Sequence, residues 1–195
     1  EHLLHFATWF PHLHTLRLFH CVTITDVGVM ALSDLPLRSL HLVTDAANIT
    51  EKSIVEIATK CAETLEVLTV HHIMDSSYVG VGVFTVRAAE AVATCTKLVK
   101  FHVWGNRMFD ASFQIIVDGC RDLSDLVLST TEVATEMTVV LIRAHLNRKA
   151  LEKLNRLTKL ELSNCSLTHQ QIADVVHSCH RLTTLELHGT TPRVT

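Results

Sequence analysis

One short pattern recurs along this chain and limits what it can fold into. An aliphatic or aromatic side chain falls at the first, fourth and sixth positions of a six-residue segment, and the segment occurs seven times in 195 residues. The copies are Leu13-x-x-Leu16-x-Leu18, Leu37-x-x-Leu40-x-Leu42, Leu65-x-x-Leu68-x-Val70, Leu98-x-x-Phe101-x-Val103, Leu123-x-x-Leu126-x-Leu128, Leu157-x-x-Leu160-x-Leu162 and Leu182-x-x-Leu185-x-Leu187. Their first residues lie 24, 28, 33, 25, 34 and 25 positions apart. A recurrence near 25 residues with occasional insertions belongs to a solenoid, in which each unit contacts only its neighbours, rather than to one wound sheet.

Within each segment the last two apolar residues alternate with polar ones, as a short strand with one buried face requires. Behind the strand the period lengthens. Ile24-Thr25-Asp26-Val27-Gly28-Val29, Ile49-Thr50-Glu51 leading to Ile54 and Ile57, and Leu167-Thr168 leading to Ile172 and Val175 space apolar residues three to four apart. In each case a Thr able to cap a helix precedes them. A unit therefore reads as strand, turn and helix, and it buries its inward side only by stacking on neighbours. Since every unit returns the chain to the same edge, the strands are parallel. The expected fold is α/β: a right-handed βα horseshoe with seven parallel strands on the concave side, near the segments above, and helices on the convex side.

Composition agrees with a folded chain. Hydrophobic residues make up 48% and charged residues only 19%, with a mean hydropathy of +0.28, enough apolar surface to offset the ordering entropy of the backbone. The formal net charge of −3 supplies no basic field for nucleic acid or an anionic membrane. No apolar run approaches the 18 or so residues that span a bilayer. The start, Glu1-His2-Leu3, has neither an initiator Met nor a basic signal-peptide head, so the chain is expected to be a piece of a longer solenoid. On that expectation residues 1–195 form a single domain, with 1–12 the end of a preceding repeat and 188–195 a truncated last one.

The cysteines sharpen the pattern. Cys61, Cys95, Cys120 and Cys179 stand three or four residues before a segment's first Leu, while Cys21 and Cys165 follow the strand. With these positions the chain resembles leucine-rich repeats of the cysteine-containing class, Cys-x-x-Leu-x-x-Leu-x-Leu-x-x-Cys-x-x-Ile-Thr-Asp, found in the receptor half of F-box proteins and in related mitotic-exit antagonists. Leu13 to Asp26, with Cys21, Ile24 and Thr25, and Cys179 to Leu187 match best. The resemblance implies a binding scaffold without catalytic machinery, which fold alone does not assign to a partner. It implies as well that the cysteines are reduced core residues, placing the chain in the cytoplasm or nucleus. Two units depart from the pattern. Met74 to Phe84 and Thr131 to Arg156 carry extra residues, expected to hold a surface loop and a lengthened helix.

Chemical motifs are weak beside this architecture. His177-x-Cys179-His180 and His71-His72 have metal-ligand residue types, but a structural zinc needs four convergent ligands and Cys179 belongs to the repeat. Gly80-Val81-Gly82-Val83 lacks the third glycine of a dinucleotide loop. No nucleophile elbow or His-Glu-x-x-His helix occurs in the sequence. The reading is a non-enzyme with no cofactor, no metal and no small-molecule substrate.

What remains is surface. The residue between each strand's last two apolar positions points to the concave side, giving the column Arg17, His41, Thr69, His102, Val127, Glu161 and Glu186. Two residues further on lies a second column, Phe19, Val43, His71, Trp104, Ser129, Ser163 and His188. Phe19 and Trp104 are expected to face water, where rigid aromatics anchor protein interfaces. The expected partner is a protein held by Arg17, Phe19, His41, Val43, His71, His102, Trp104, Glu161 and Glu186. Two narrower roles follow: substrate receptor of an F-box-type ubiquitin ligase, or scaffold subunit of a large cytoskeletal or ciliary assembly.

Overall fold

The computed structural model describes residues 2–43, 49–71, 82–108, 110–129, 148–163 and 167–188. Seven five-residue strands form one open sheet: β1 (Thr15–Phe19), β2 (Ser39–Val43), β3 (Val67–His71), β5 (Lys100–Trp104), β7 (Asp125–Ser129), β8 (Lys159–Ser163) and β9 (Thr184–His188). Every neighbouring pair is parallel, and the register carries the repeat across the sheet without a slip: Leu16 pairs with Leu40, then Leu68, Phe101, Leu126, Leu160 and Leu185. All seven strands fall where the sequence places them.

The inward leucines explain the order. Leu40, Leu68, Phe101, Leu160, Leu42, Val70 and Leu162 are at most 1% exposed, as are Leu37, Leu65, Leu98, Leu123 and Leu157, which begin their segments. Against them pack the helices α1 (Phe6–Trp9), α2 (Asp26–Met30), α3 (Glu51–Lys60), α4 (Val86–Ala93), α5 (Asp110–Gly119), α6 (Arg148–Lys153) and α7 (His169–Ser178). Thr50, Thr85 and Thr168 cap α3, α4 and α7 by accepting a backbone N–H, and Thr168 completes a reciprocal box with Gln171. At the first unit the Thr25 helix is short and runs on as a 3-10 turn, Ala31–Asp34.

Where each strand begins, one backbone carbonyl of the preceding unit accepts from two successive amides. His14 O takes the N–H groups of Arg38 and Ser39 at 2.8 and 2.9 Å, and Arg38, Glu66, Val99, Ser124 and Thr158 do the same for the units that follow. This shared acceptor turns the chain into the sheet at the same point in every unit. Gly105 leaves β5 at φ 68°, a left-handed conformation that glycine adopts without a Cβ clash, and its N–H donates to Ser129 O at 2.8 Å. His20, one residue beyond β1, takes the same turn at φ 51° and donates to Val43 O.

Two expectations are corrected. Gly82–Phe84 is not loop but a strand, β4, pairing in parallel with β6 (Asn106–Met108) in a separate two-stranded sheet. The reason is packing: Phe84 is 1% exposed and meets Phe101 edge-on at 5.5 Å, so this part of the insertion is tied to the core. Cys21 is not a core residue; it lies half-buried beyond the sheet edge with Sγ donating to Phe19 O, because no described strand precedes β1 to cover it. Cys61, Cys95, Cys120 and Cys179 are buried thiols, whereas Cys165, the segments after residues 73 and 131 up to β4 and α6, and 189–195 lie outside the described residues. Within residues 131–156 the described part is a helix of six residues, α6, and the rest of the expected lengthened helix falls on 131–147, outside the described residues. Among the described residues no helix is long and apolar enough to cross a membrane.

Candidate interaction surface on the concave sheet

Strand alternation sends Arg17, His41, Thr69, His102, Val127, Glu161 and Glu186 to the face opposite the core, and the register sets them side by side. Phe19, Val43, His71, Trp104, Ser129, Ser163 and His188 form a second aligned row. A third row, Thr15, Ser39, Val67, Lys100, Asp125, Lys159 and Thr184, completes the face. The sequence reading missed this third row, although carrying the two-residue period back by one step locates it.

Four residues depart from the expectation of a fully wetted face, Ser163 of the second row among them at 8% exposed. Thr69 is 1% exposed and Val127 is fully buried. Both are short side chains whose register neighbours include the longer His41, His102 and Glu161, and on a concave surface long side chains converge over short ones. Trp104 is half-buried rather than exposed, its indole 5.6 Å from the His102 ring, while Phe19 on the edge strand is 53% exposed. Trp104 nonetheless lies on the outer face, since Phe101 and Val103 of the same strand are the buried ones.

Charge divides the face. Over β1 to β5 stand Arg17, His41, Lys100 and His102. Asp125 answers the last two, with Oδ1 at 3.0 Å from His102 Nε2 and Oδ2 at 3.7 Å from Lys100 Nζ. His41 Nε2 lies 3.2 Å from Ser39 Oγ. Burial, and then the positive charge of Arg17, His102 and Lys100, hold the His41 imidazole below its ordinary pKa. Over β8 and β9 the sign reverses, with Glu161 and Glu186 sharing Lys159 at 3.4 and 3.6 Å, and His188 Nε2 3.2 Å from Glu186 Oε2. The His188 contact and the Lys159 charge hold the Glu186 carboxyl below the usual range.

Glu161, Glu186 and His188 also bring ligand atoms within 4.8 Å of one another. The Lys159 ammonium already sits against both carboxylates, so the group reads as an ion-pair network. Neither His177 with Cys179 and His180 nor His71 belongs to a described convergence of ligand atoms.

The comparisons bear on the architecture. No protein-family model and no curated protein matches the sequence. Among solved structures the chain is similar to an internalin from Listeria monocytogenes, at 18% identity and a TM-score of 0.57, covering 93% of this chain and 43% of that one. This is a leucine-rich-repeat fold. The chain spans less than half the length of that internalin, and at this identity the likeness establishes the α/β solenoid and nothing narrower. The cysteine-containing subclass rests on the sequence pattern alone.

Proposed function

We propose that this leucine-rich-repeat solenoid is a non-enzymatic protein-interaction module that holds a protein partner on its concave sheet. The observation that carries this reading is the register. Seven strands aligned without a slip hold Arg17, His41, His102, Glu161 and Glu186 in one row, with Phe19, Val43, His71 and Trp104 beside them. Rigid elements of this kind present side chains at little entropic cost on binding. One unbroken sheet from β1 to β9 supports treating the chain as a single module.

The cysteine positions favour the substrate-receptor half of an F-box-type ubiquitin ligase over a scaffold subunit of a cytoskeletal or ciliary assembly. Affinity capture followed by mass spectrometry separates the two. Adaptor and cullin subunits are expected from the first, a set of structural proteins from the second. Trp104→Ala tests the face itself. A half-buried aromatic in the middle strand should cost roughly 2 kcal/mol of partner affinity, with the melting temperature nearly unchanged. Lost stability with unchanged affinity would make Trp104 a packing residue and move the recognition surface elsewhere.

A further inference from the structure

We propose that Thr69, with Arg17, His41 and His102 around it, is a carboxylate-binding site for an Asp or Glu side chain on an extended segment of the protein partner. The proposal rests on the reading of the concave sheet as the interaction face and names the chemistry of what it holds.

Thr69 is the central observation. Its side chain lies between those of His41 and His102 in the row, it is 1% exposed, and its Oγ1 has no hydrogen-bond partner among the described residues. A buried hydroxyl left unpaired carries a desolvation penalty, and this one, beneath the His41 and His102 side chains, gains an acceptor from a carboxylate that enters between them. Asp125 already answers Lys100 and His102, which leaves Arg17 to supply the cation. Arg17 stands in the same row and forms no ion pair among the described residues. A guanidinium, an imidazole N–H and a hydroxyl are all donors, and a carboxylate is acceptor-only when ionised.

The other half of the face narrows the ligand. A long polyanion laid across the strands would meet Glu161 and Glu186, so the surface selects a segment whose negative charge is confined to one end. Neighbouring strands lie about 4.8 Å apart, so Thr69 and the Glu161–Glu186 pair, three to four strands further on, are separated by roughly 14–19 Å. About five extended residues cover that distance. The segment that fits is acidic over β1 to β5 and basic over β8 and β9.

The probe is a labelled synthetic peptide of about ten residues, with two glutamates at one end, two lysines at the other and a Gly-Ser spacer, followed by fluorescence anisotropy at low salt. A peptide of the same composition with alternating charges is the comparison, and one with phosphoserine for glutamate asks whether another anion fits better. The end-segregated peptide is expected to bind at least about tenfold tighter than the alternating one, with Arg17→Ala removing most of that difference. Thr69→Val is the sharper variant. It should weaken binding severalfold while the melting temperature stays level or rises, because the valine replaces an unpaired hydroxyl with a methyl. Equal binding of the two glutamate peptides, no binding of either, or indifference to both Arg17→Ala and Thr69→Val would overturn the proposal. Tighter binding of the phosphoserine peptide would do the same. If Trp104→Ala abolishes capture of the natural partner while Arg17→Ala and Thr69→Val leave it intact, the concave face stands as the interaction surface and the carboxylate site does not.

Discussion

Asp26 of one repeat holds the start of the next repeat's helix: its carboxylate accepts from the backbone N–H of Thr50 at 2.8 Å and from the Thr50 hydroxyl at 2.6 Å. Ser53 Oγ donates to the same group. Glu51 reaches forward in the same way to the Thr85 hydroxyl. At these two helix starts the acidic residue after the Thr, Asp26 or Glu51, is therefore an inter-unit tie as well as a favourable charge. Asp26→Ala should destabilise the chain by about 1–3 kcal/mol, since it leaves the Thr50 amide and two hydroxyls without their acceptor. Asp26→Asn, which keeps one acceptor oxygen, should lose less. Identical urea midpoints for the two variants and the parent would remove the tie from the account.

Leu126 tests the stacking itself. It is 1% exposed on β7, between Phe101 and Leu160 in register. Leu126→Ala should cost about 2–5 kcal/mol, from lost transfer energy and the cavity left behind. The loss should spread to the neighbouring units, because each is stable only against the next. Hydrogen exchange on β5 and β8 reads this; faster exchange confined to β7 would contradict it.

How much of this was legible in the sequence depends on which force sets each feature. The strands and their register follow from apolar spacing, which the burial of Leu40, Leu68 and Leu160 enforces directly. The caps Thr50 and Thr168 follow from local chemistry, whereas Thr25, marked by the same pattern, makes no side-chain cap bond. The pair β4 and β6 was not legible, since its strands are three residues each and are held by distant contacts, Phe84 on Phe101, Ser112 Oγ on Phe84 O and the burial of Met108. Nor was the burial of Thr69 and Val127, because a strand pattern tells which way a side chain points but not how longer neighbours close over it. The ion pairs of Asp125 were missed because they join different strands.

Gly119 shows a constraint of the same non-local kind. It ends α5 against α4, where an added Cβ would run into the carbonyl oxygen and Cβ of Ala93. Helix propensity alone favours Ala over Gly by about 1 kcal/mol. The close approach decides the sign, and Gly119→Ala should instead lower stability by about 1–3 kcal/mol through forced separation of the two helices. A raised melting temperature would show that α4 and α5 have room to part.

The thiols give a test by reactivity. Burial pushes Cys95 and Cys120 up to about 12 and Cys179 up to about 11, and it raises Cys61 as well. Cys61, Cys95 and Cys120 donate to carbonyls of the preceding unit, Cys95 to Ala58 O at 3.4 Å and Cys120 to Val92 O at 3.5 Å. The thiolate is the reactive form, so iodoacetamide at pH 8 should modify Cys21 first and reach these four only on unfolding. Peptide mass spectrometry resolves the sites. Labelling of Cys95 at the rate of Cys21 in the native protein would mean that the units do not stack as described.

The last prediction concerns pH. His41 is partly buried and stands near the positive charges of Arg17, His102 and Lys100, and burial first, then those charges, hold its imidazole below the ordinary value of 6.5. In the unfolded chain the same imidazole takes up its proton near 6.5. Below that pH the unfolded state binds more protons than the folded one, so His41's contribution to stability is fully present above about 6.5 and is lost as pH falls through the folded value. Between pH 7.5 and 5 the parent should therefore lose more stability than His41→Gln, which has nothing to titrate at this position. NMR titration of the His41 ring protons gives the more direct reading. Its midpoint should lie below 6.5 and move upward in Arg17→Ala, because that substitution removes a positive neighbour. A bound carboxylate would move it the same way, so a partner acidic at this end should bind more tightly as pH falls, over a window lower than a free imidazole would set. A His41 midpoint at or above 6.5 that ignores Arg17→Ala would show that the positive charge assigned to this half of the face does not reach its centre.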